Sequence, residues 1–270
     1  MIPVGFDYLR PTSVDAAIGL LAEHGEEAGV LAGGHSLLPM MKLRFAVPEM
    51  LIDIGRLEEL RYVRLDGDEV AIGAGTRHAA LENSELLAAE CPLLPAVART
   101  VGDPQIRHRG TLGGSLAHAD PASDLPAAVL ALGGTVVLRG PRGERRVPLT
   151  GFYTGVFASV KEPDELVVEV RVPRTGAAGW AYEKFTRRAN DWAIVAVAVV
   201  DGLVGLVNMG PTPLRASATE AALAGGASIE EAAALADEGT DPPADLAGTK
   251  EYRRHLARLL TRRALTTAAR

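Results

Sequence analysis

The residues of this sequence best equipped to hold a ligand are two glycine pairs flanked by hydroxyl side chains. The first is Ala32-Gly33-Gly34-His35-Ser36, between a short apolar run at 28–32 and a helical pattern at 37–44. Paired glycines let a backbone approach a ligand with no Cβ in the way. Ser36 is expected to cap the helix, and the free amides of a first helical turn attract an anion. Each dipole contact contributes only about 0.3–1 kcal/mol, so a diphosphate needs several amides together. The second is Thr111-Leu112-Gly113-Gly114-Ser115, preceded by Ile106-Arg107-His108-Arg109-Gly110. Taken singly, each pair reads more readily as a structural turn. Together they suit one long ligand gripped from two sides.

Other chemistries are poorly served. No GxxxxGK[ST] segment is present, so a P-loop is excluded. Gly73-Ala74-Gly75 begins a GxGxxG pattern, but His78 stands where the third glycine belongs, which rejects a Rossmann fingerprint. The single cysteine, Cys91, cannot build an iron–sulfur cluster or a cysteine-rich zinc site and reads as a small buried hydrophobe. A chain without a disulfide framework fits a reducing cytoplasm. His118 and Asp120 lack the further ligands a metal requires. His108, between two arginines, reads as part of a solvated loop. A net charge of −6 argues against nucleic acid as the main partner. The first residues lack the pattern of a signal peptide, and no apolar run reaches the roughly 18 residues of a membrane span.

The elements that must position these loops alternate between strand and helix. Strands are expected at 28–32 and 49–54, and a hairpin over 61–76 turning at Asp66-Gly67, a pair that accepts positive φ. Helical patterns follow at 77–90, 92–101 and 124–132. A second hairpin spans 135–140 and 144–149, and a strand fills 165–173. After a small-residue linker at 174–179 come strands at 180–187, 192–200 and 202–210, the last two joined by Asp201-Gly202. Alanine-rich helices at 213–238 and a basic amphipathic helix at 249–267 complete the chain. This basic helix reads as a solvated helix packed by one stripe, with a partner contact as the alternative. Strands followed by helices indicate an α+β second domain beginning near 175.

Three segments, AGGHSLLPMMKLR, VGDPQIRHRGTLGGSLAHADPASDLP and YEKFTRRANDWAIVAVAV, resemble the FAD-binding medium subunit of molybdenum hydroxylases. That family includes aerobic carbon monoxide dehydrogenase and xanthine dehydrogenase, and GGHS with TLGGS leans toward the carbon-monoxide-dehydrogenase-like group. The resemblance implies an α+β fold: a vanillyl-alcohol-oxidase (PCMH)-type FAD-binding domain of two α/β subdomains over 1–175. A carbon monoxide dehydrogenase flavoprotein-like domain over 176–270 would follow, with a three-stranded antiparallel sheet and helices. It implies cofactor binding by Val30, Leu31, Ala32, Gly33, Gly34, His35, Ser36 and Leu37, with the loop from Ala32 to Ser36 wrapping the FAD diphosphate with backbone amides, and that Thr111, Leu112, Gly113, Gly114 and Ser115 do the same from the second subdomain. It further implies cofactor contacts for Val101 and Asp124, and a position beside the flavin for the Lys184 cation, where it would stabilise a reduced, anionic ring. Trp192 lies either near the isoalloxazine or in the core at a strand start.

By the same resemblance, a large subunit holds the molybdenum cofactor and a small subunit holds [2Fe–2S] clusters, in a dimer of heterotrimers. The complex is expected in the cytoplasm, with any contact to the inner face of the membrane made through partners. Electrons from the clusters would reach this FAD and then an external acceptor: quinone, NAD or oxygen. No catalytic acid, base or nucleophile and no metal ligand is assigned to this chain. The alternatives are a stand-alone flavin-dependent oxidoreductase acting on a small organic substrate, and a non-catalytic nucleotide-binding or assembly subunit. His35 sits where another branch of the flavin fold bonds its cofactor covalently, but the molybdenum hydroxylase branch holds FAD without a covalent bond. Acid precipitation of the holoprotein is therefore expected to release all yellow colour into the supernatant; a yellow pellet would contradict this.

Overall fold

The computed structural model describes residues 1–270. It opens with three parallel strands, β1 (Asp7–Leu9), β2 (Ala28–Leu31) and β3 (Met50–Asp53), in spatial order β1-β3-β2, with α1 (Val14–His24) and α2 (Leu37–Leu43) as connections. Helix α1 begins where the Ser13 hydroxyl accepts from Ala16 N, buries the stripe Val14, Ala17, Ile18 and Leu21, and stops at Gly25 with φ 53°. Strand β2 lies at the sheet edge, and the first glycine loop leaves its carboxyl end. Parallel sheets place ligands at that end of their strands.

The second subdomain is a five-stranded antiparallel sheet, built from β4 (Val63–Asp66) and β5 (Glu69–Gly73) together with three later strands. Between β5 and those strands the chain runs through six helices: α3 (His78–Glu82), α4 (Glu85–Glu90), α5 (Leu93–Arg99), α6 (Pro104–Arg109), α7 (Leu112–His118) and α8 (Asp124–Ala131). Then come β6 (Thr135–Gly140), β7 (Gly143–Pro148), the small hairpin β8 (Tyr153–Gly155) and β9 (Ala158–Ser159), and β10 (Leu166–Pro173). The order is β4-β5-β10-β6-β7. Leu94, Val97, Leu112, Leu116, Val129 and Phe152 fill the core between helices and sheet. Cys91 joins them, and burial pushes its thiol up to about 12.

The last part is a sheet in the order β11 (Trp180–Phe185), β12 (Val195–Val200), β13 (Leu203–Val207), β14 (Leu214–Arg215), followed by α9 (Ser217–Ala224), α10 (Ile229–Ala234) and α11 (Lys250–Ala268). Every residue of β12 is buried, because α8 packs against it as well as α11. Helix α8 thus belongs by sequence to the first part and by packing to both. A Cβ on Gly205 of β13 would lie 2.2 Å from the Ala127 carbonyl oxygen, so only glycine lets strand and helix approach this closely.

The turn at Asp201-Gly202 forms as expected, both residues having positive φ as a type I′ turn demands. The first hairpin turns one residue later than expected: Asp66 still pairs with Glu69 at the end of β4, leaving Gly67 (φ 64°) and Asp68 as the loop. Several elements differ from expectation. The pattern at 77–90 is two helices, because the Ser84 hydroxyl accepts from Leu87 N and starts α4 afresh. Asp103 caps α6, whose first residue is Pro104. The last sheet has four strands rather than three, β14 being a two-residue edge. The basic helix α11 is more than a solvated face: Arg253 is fully buried, paired through one guanidinium nitrogen with both Asp245 oxygens at 2.8 Å and bonded to the Ile194 carbonyl.

Substituting Gly205→Ala is expected to lower the melting temperature followed by circular dichroism, through the about 1–3 kcal/mol that overpacking costs. An unchanged melting temperature would contradict the close approach of β13 to α8.

Candidate functional site

A cleft of about 730 Å³ opens where the two N-terminal subdomains and the last sheet meet. That volume falls within the roughly 300–1,000 Å³ of small-molecule and cofactor sites. One wall is the first glycine loop. The amides of Ala32, Gly33, Gly34, His35, Ser36 and Leu37 donate to no backbone or side-chain acceptor of the protein. Gly34 has φ 80°, and successive N–H groups around such a left-handed residue form an anion-binding concavity. Ser36 stands at the start of α2, but its hydroxyl caps nothing, so the expected N-cap bond is absent.

The loop is held against the opposite subdomain by contact too close for side chains. A Cβ on Gly33 would lie 2.4 Å from the Arg109 carbonyl oxygen. Arg77 reinforces the junction, donating to the carbonyls of Arg109 and of Gly55.

The second glycine pair behaves differently from the first. Gly113 and Gly114 lie inside the first turn of α7, not in a loop. Leu112 N donates to Thr76 O, Gly113 N to Ala74 O, Gly114 N to Thr111 Oγ1 and Ser115 N to Thr111 O. Four of the five amides expected to grip a ligand here are therefore engaged within the protein, and only Thr111 N is free. Gly113 serves packing, since its Cβ would stand 2.5 Å from the Ala74 Cβ. The Thr111 hydroxyl caps the helix through Gly114 N, and the carbonyls of Ala74 and Thr76, just after β5, take the two amides before it.

At the base of the cleft, Asp124 opens α8 and is buried. Its carboxylate accepts from Lys184 Nζ at 2.7 Å and from the Tyr182 hydroxyl at 2.5 Å. Lys184 also donates to the Thr100 carbonyl at 3.1 Å. Burial pushes the Asp124 carboxyl above its usual value, against the opposing pull of Lys184 and Tyr182. Burial and the neighbouring carboxylate push the Tyr182 phenol well up. The Lys184 cation is therefore locally compensated, and the pair presents no net charge.

Of the residues expected at the site, Val30, Ala32, Gly33, Gly34, His35, Ser36, Leu37, Val101, Thr111, Gly113, Gly114, Ser115, Asp124, Lys184 and Trp192 all line this cleft. Leu31 and Leu112 do not. Leu31 lies in β2 beside Gly34, and Leu112 is a fully buried core residue. Trp192 is 59% exposed at the rim, which overturns its core-packing alternative. The cleft also contains groups that carried no signal in the sequence. Phe157, at the tip of the β8–β9 hairpin, has φ 56° and stacks on His118 with ring centres 4.9 Å apart. His78 is buried beside Ser115, and burial pushes its pKa down to about 4.

Comparison with known families fits this geometry. Residues 4–175 match the model of the FAD-binding domain in molybdopterin dehydrogenase, and residues 180–268 match the carbon monoxide dehydrogenase flavoprotein C-terminal domain. The chain belongs to this family. It is 44% identical to the carbon monoxide dehydrogenase medium chain of Hydrogenophaga pseudoflava, covering 99% of this chain and 98% of that protein. It is 42% identical to the corresponding medium chain of Afipia carboxidovorans, with the same coverage. Among solved structures, a carbon monoxide dehydrogenase from Hydrogenophaga pseudoflava that lacks the Mo-pyranopterin moiety of its cofactor superposes with a TM-score of 0.96. The identity is 46%, covering 100% of this chain and 99% of that one. The chain is accordingly an FAD-binding oxidoreductase subunit, one component of a multi-subunit enzyme. Its own residues fit the cofactor: a row of unpaired amides suits a diphosphate, and the buried polar cluster suits the hydrogen-bonding edge of a flavin or the hydroxyls of a ribityl chain. No helix is long and apolar enough to cross a membrane.

Removing one member of the buried pair strands the other's charge. Asp124→Asn and Lys184→Met are each expected to lower unfolding free energy in urea by about 3–5 kcal/mol, and the double variant by much less than the sum. Additive losses would show that the pair does not act as a unit.

Proposed function

We propose that this subunit carries electrons from [2Fe–2S] clusters on a partner, through FAD in the cleft, to an external acceptor. The observation that carries the reading is the row of unpaired amides from Ala32 to Leu37, facing the same cleft as the Asp124–Lys184 pair. One end of the cleft suits a diphosphate and the other a polar heteroaromatic ring. Bound FAD supplies the redox chemistry, accepting electrons singly and delivering them in pairs.

The protein's part is to bind, orient and shield. The amides of the first loop hold the diphosphate without needing a cation. Lys184 has three N–H donors, of which two are engaged, leaving one for the flavin edge. Asp124 and Tyr182 fix where that donor sits. Trp192 and Phe157 stand at the rim as apolar walls for the ring. No residue of the chain is assigned as a catalytic acid, base or nucleophile, which suits an electron carrier whose partner performs the substrate chemistry. FAD is bound noncovalently.

The assembly is a dimer of heterotrimers, with a molybdenum-cofactor large subunit and a [2Fe–2S] small subunit. The lone buried cysteine supports this reading: a chain serving an iron–sulfur relay but unable to ligate a cluster depends on another chain for it. The domain division is 1–175 for the PCMH-type FAD-binding domain and 176–270 for the C-terminal domain, joined through the glycine- and alanine-rich linker. The complex is placed in the cytoplasm, reaching the inner face of the membrane only through partners.

The purified full chain is expected to quench FAD fluorescence on titration, and Gly33→Val to weaken that affinity at least about tenfold by forcing the first loop off the Arg109 carbonyl. Flavin in the isolated chain should stay oxidised when small organic substrates are added, whereas the co-purified complex should contain molybdenum and iron. Substrate-driven bleaching of the isolated chain would support a stand-alone flavoenzyme instead.

A further inference from the structure

His78 lines the cleft, yet its side chain is almost wholly buried. Its Nε2 lies 3.1 Å from Ser115 Oγ, and its Nδ1 has no partner at all. The ring is boxed in. Gly110 sits so close that a Cβ there would stand 2.7 Å from Nδ1, and the His78 amide donates to the Gly110 carbonyl at 3.0 Å. The Thr111 carbonyl also faces the ring and partly offsets the effect of burial, but it lies outside hydrogen-bonding geometry with Nδ1.

A neutral imidazole carries its proton on one nitrogen or the other. A proton on Nδ1 would bury a donor with no acceptor, which native structures tolerate less readily than an under-used acceptor. A proton on Nε2 leaves only a lone pair unmatched and directs an N–H at Ser115 Oγ. A hydroxyl has one proton and two acceptor positions. Once Oγ accepts from His78, its own proton is free to be donated, and Ser115 has no other side-chain partner in the protein. Ser115 lines the cleft. The amides from Leu112 to Ser115 are already engaged, so beside the free Thr111 amide the Ser115 hydroxyl is a donor this wall can still offer an anion.

We propose that His78 is a positioning residue for the cofactor: its Nε2–H fixes the Ser115 hydroxyl as a hydrogen-bond donor into the cleft, toward the FAD phosphate oxygens. The proposal rests on the assignment of FAD to this cleft. Because burial keeps the imidazole neutral, His78 acts through the hydroxyl and not as a cation.

The test titrates FAD into the full apo-chain and its variants by fluorescence quenching. Ser115→Ala and His78→Phe should each weaken FAD about tenfold, the value of one hydrogen bond to a charged group. Ser115→Ala/His78→Phe should be no weaker than the worse single variant, because both changes remove the same donor. His78→Gln, whose amide keeps an N–H near the Nε2 position, should recover most of the affinity. Long-range 1H–15N NMR of the apo-chain should find His78 protonated at Nε2. Wild-type affinity in Ser115→Ala or His78→Phe, losses that multiply in the double variant, or a ring protonated at Nδ1 would each overturn the proposal. If circular dichroism shows His78→Phe unfolded, Ser115→Ala and the NMR tautomer decide it, since both leave the ring in place. A wild-type chain with no FAD affinity would remove the FAD assignment and this proposal with it. Wild-type binding that Ser115→Ala does not weaken removes this proposal alone.

Discussion

The carbonyl of Arg109 lies so near Gly33 that no side chain fits between them. That contact reinforces a junction whose apolar part is a shared core, in which Ile18, Leu21 and Ile52 of the first subdomain pack with Val137, Leu166 and Val168 of the second sheet. It also explains why the first loop is left with a row of unpaired amides. With its backbone pressed on one side against Arg109 and Gly110, the loop cannot fold back to satisfy its own donors. Buried or half-buried N–H groups without partners are costly, so such a row is stable only where a ligand or water takes the bonds. The arrangement trades self-satisfaction for anion affinity.

The second constraint is the ion pair between Asp124 and Lys184. Asp124 begins α8, Lys184 lies in β11, and the two segments belong to different matched family domains. Their pairing and the packing of α8 onto β12 and β13 make the C-terminal sheet a wall of the cofactor site rather than an appendage. A buried pair of this kind contributes more to uniqueness of geometry than to net stability. It fixes the lysine donor in the wall of the cleft, while offsetting the lysine's charge. The cation expected beside the flavin is thus present as a hydrogen-bond donor, with its field muted by the carboxylate.

The two glycine pairs look alike in sequence and differ in the structure for a local reason. Ser36 makes no capping bond because the third residue of its helix is Pro39, which has no N–H to give, and Leu38 N already donates to the Gly34 carbonyl. Thr111 does cap α7, and the segment that follows β5 takes the amides of Leu112 and Gly113 through the carbonyls of Thr76 and Ala74. Propensity rules cannot separate Ser from Thr at these positions, because both are good caps. What separates them is Pro39, which denies Ser36 a donor, and, for the amides of Leu112 and Gly113, the carbonyls of Thr76 and Ala74, which only the fold brings alongside.

The sequence by itself determined the order and type of most elements, the turn at Asp201-Gly202, the family, and the cofactor that the family binds. These are written in periodicity, in positive-φ residues and in three motif segments, all of which are local. Only the tertiary structure decided which amides remain free, that Leu112 belongs to the core, that Trp192 stands at the rim, and that Lys184 is neutralised by Asp124. Phe157 joins the cleft through a hairpin tip that no local pattern marks, and His78 through the start of an expected helix whose place at the cleft only the fold decides. Local signals report what a segment can become; which hydrogen-bond donors and charges are left over is settled by neighbours that only folding brings together.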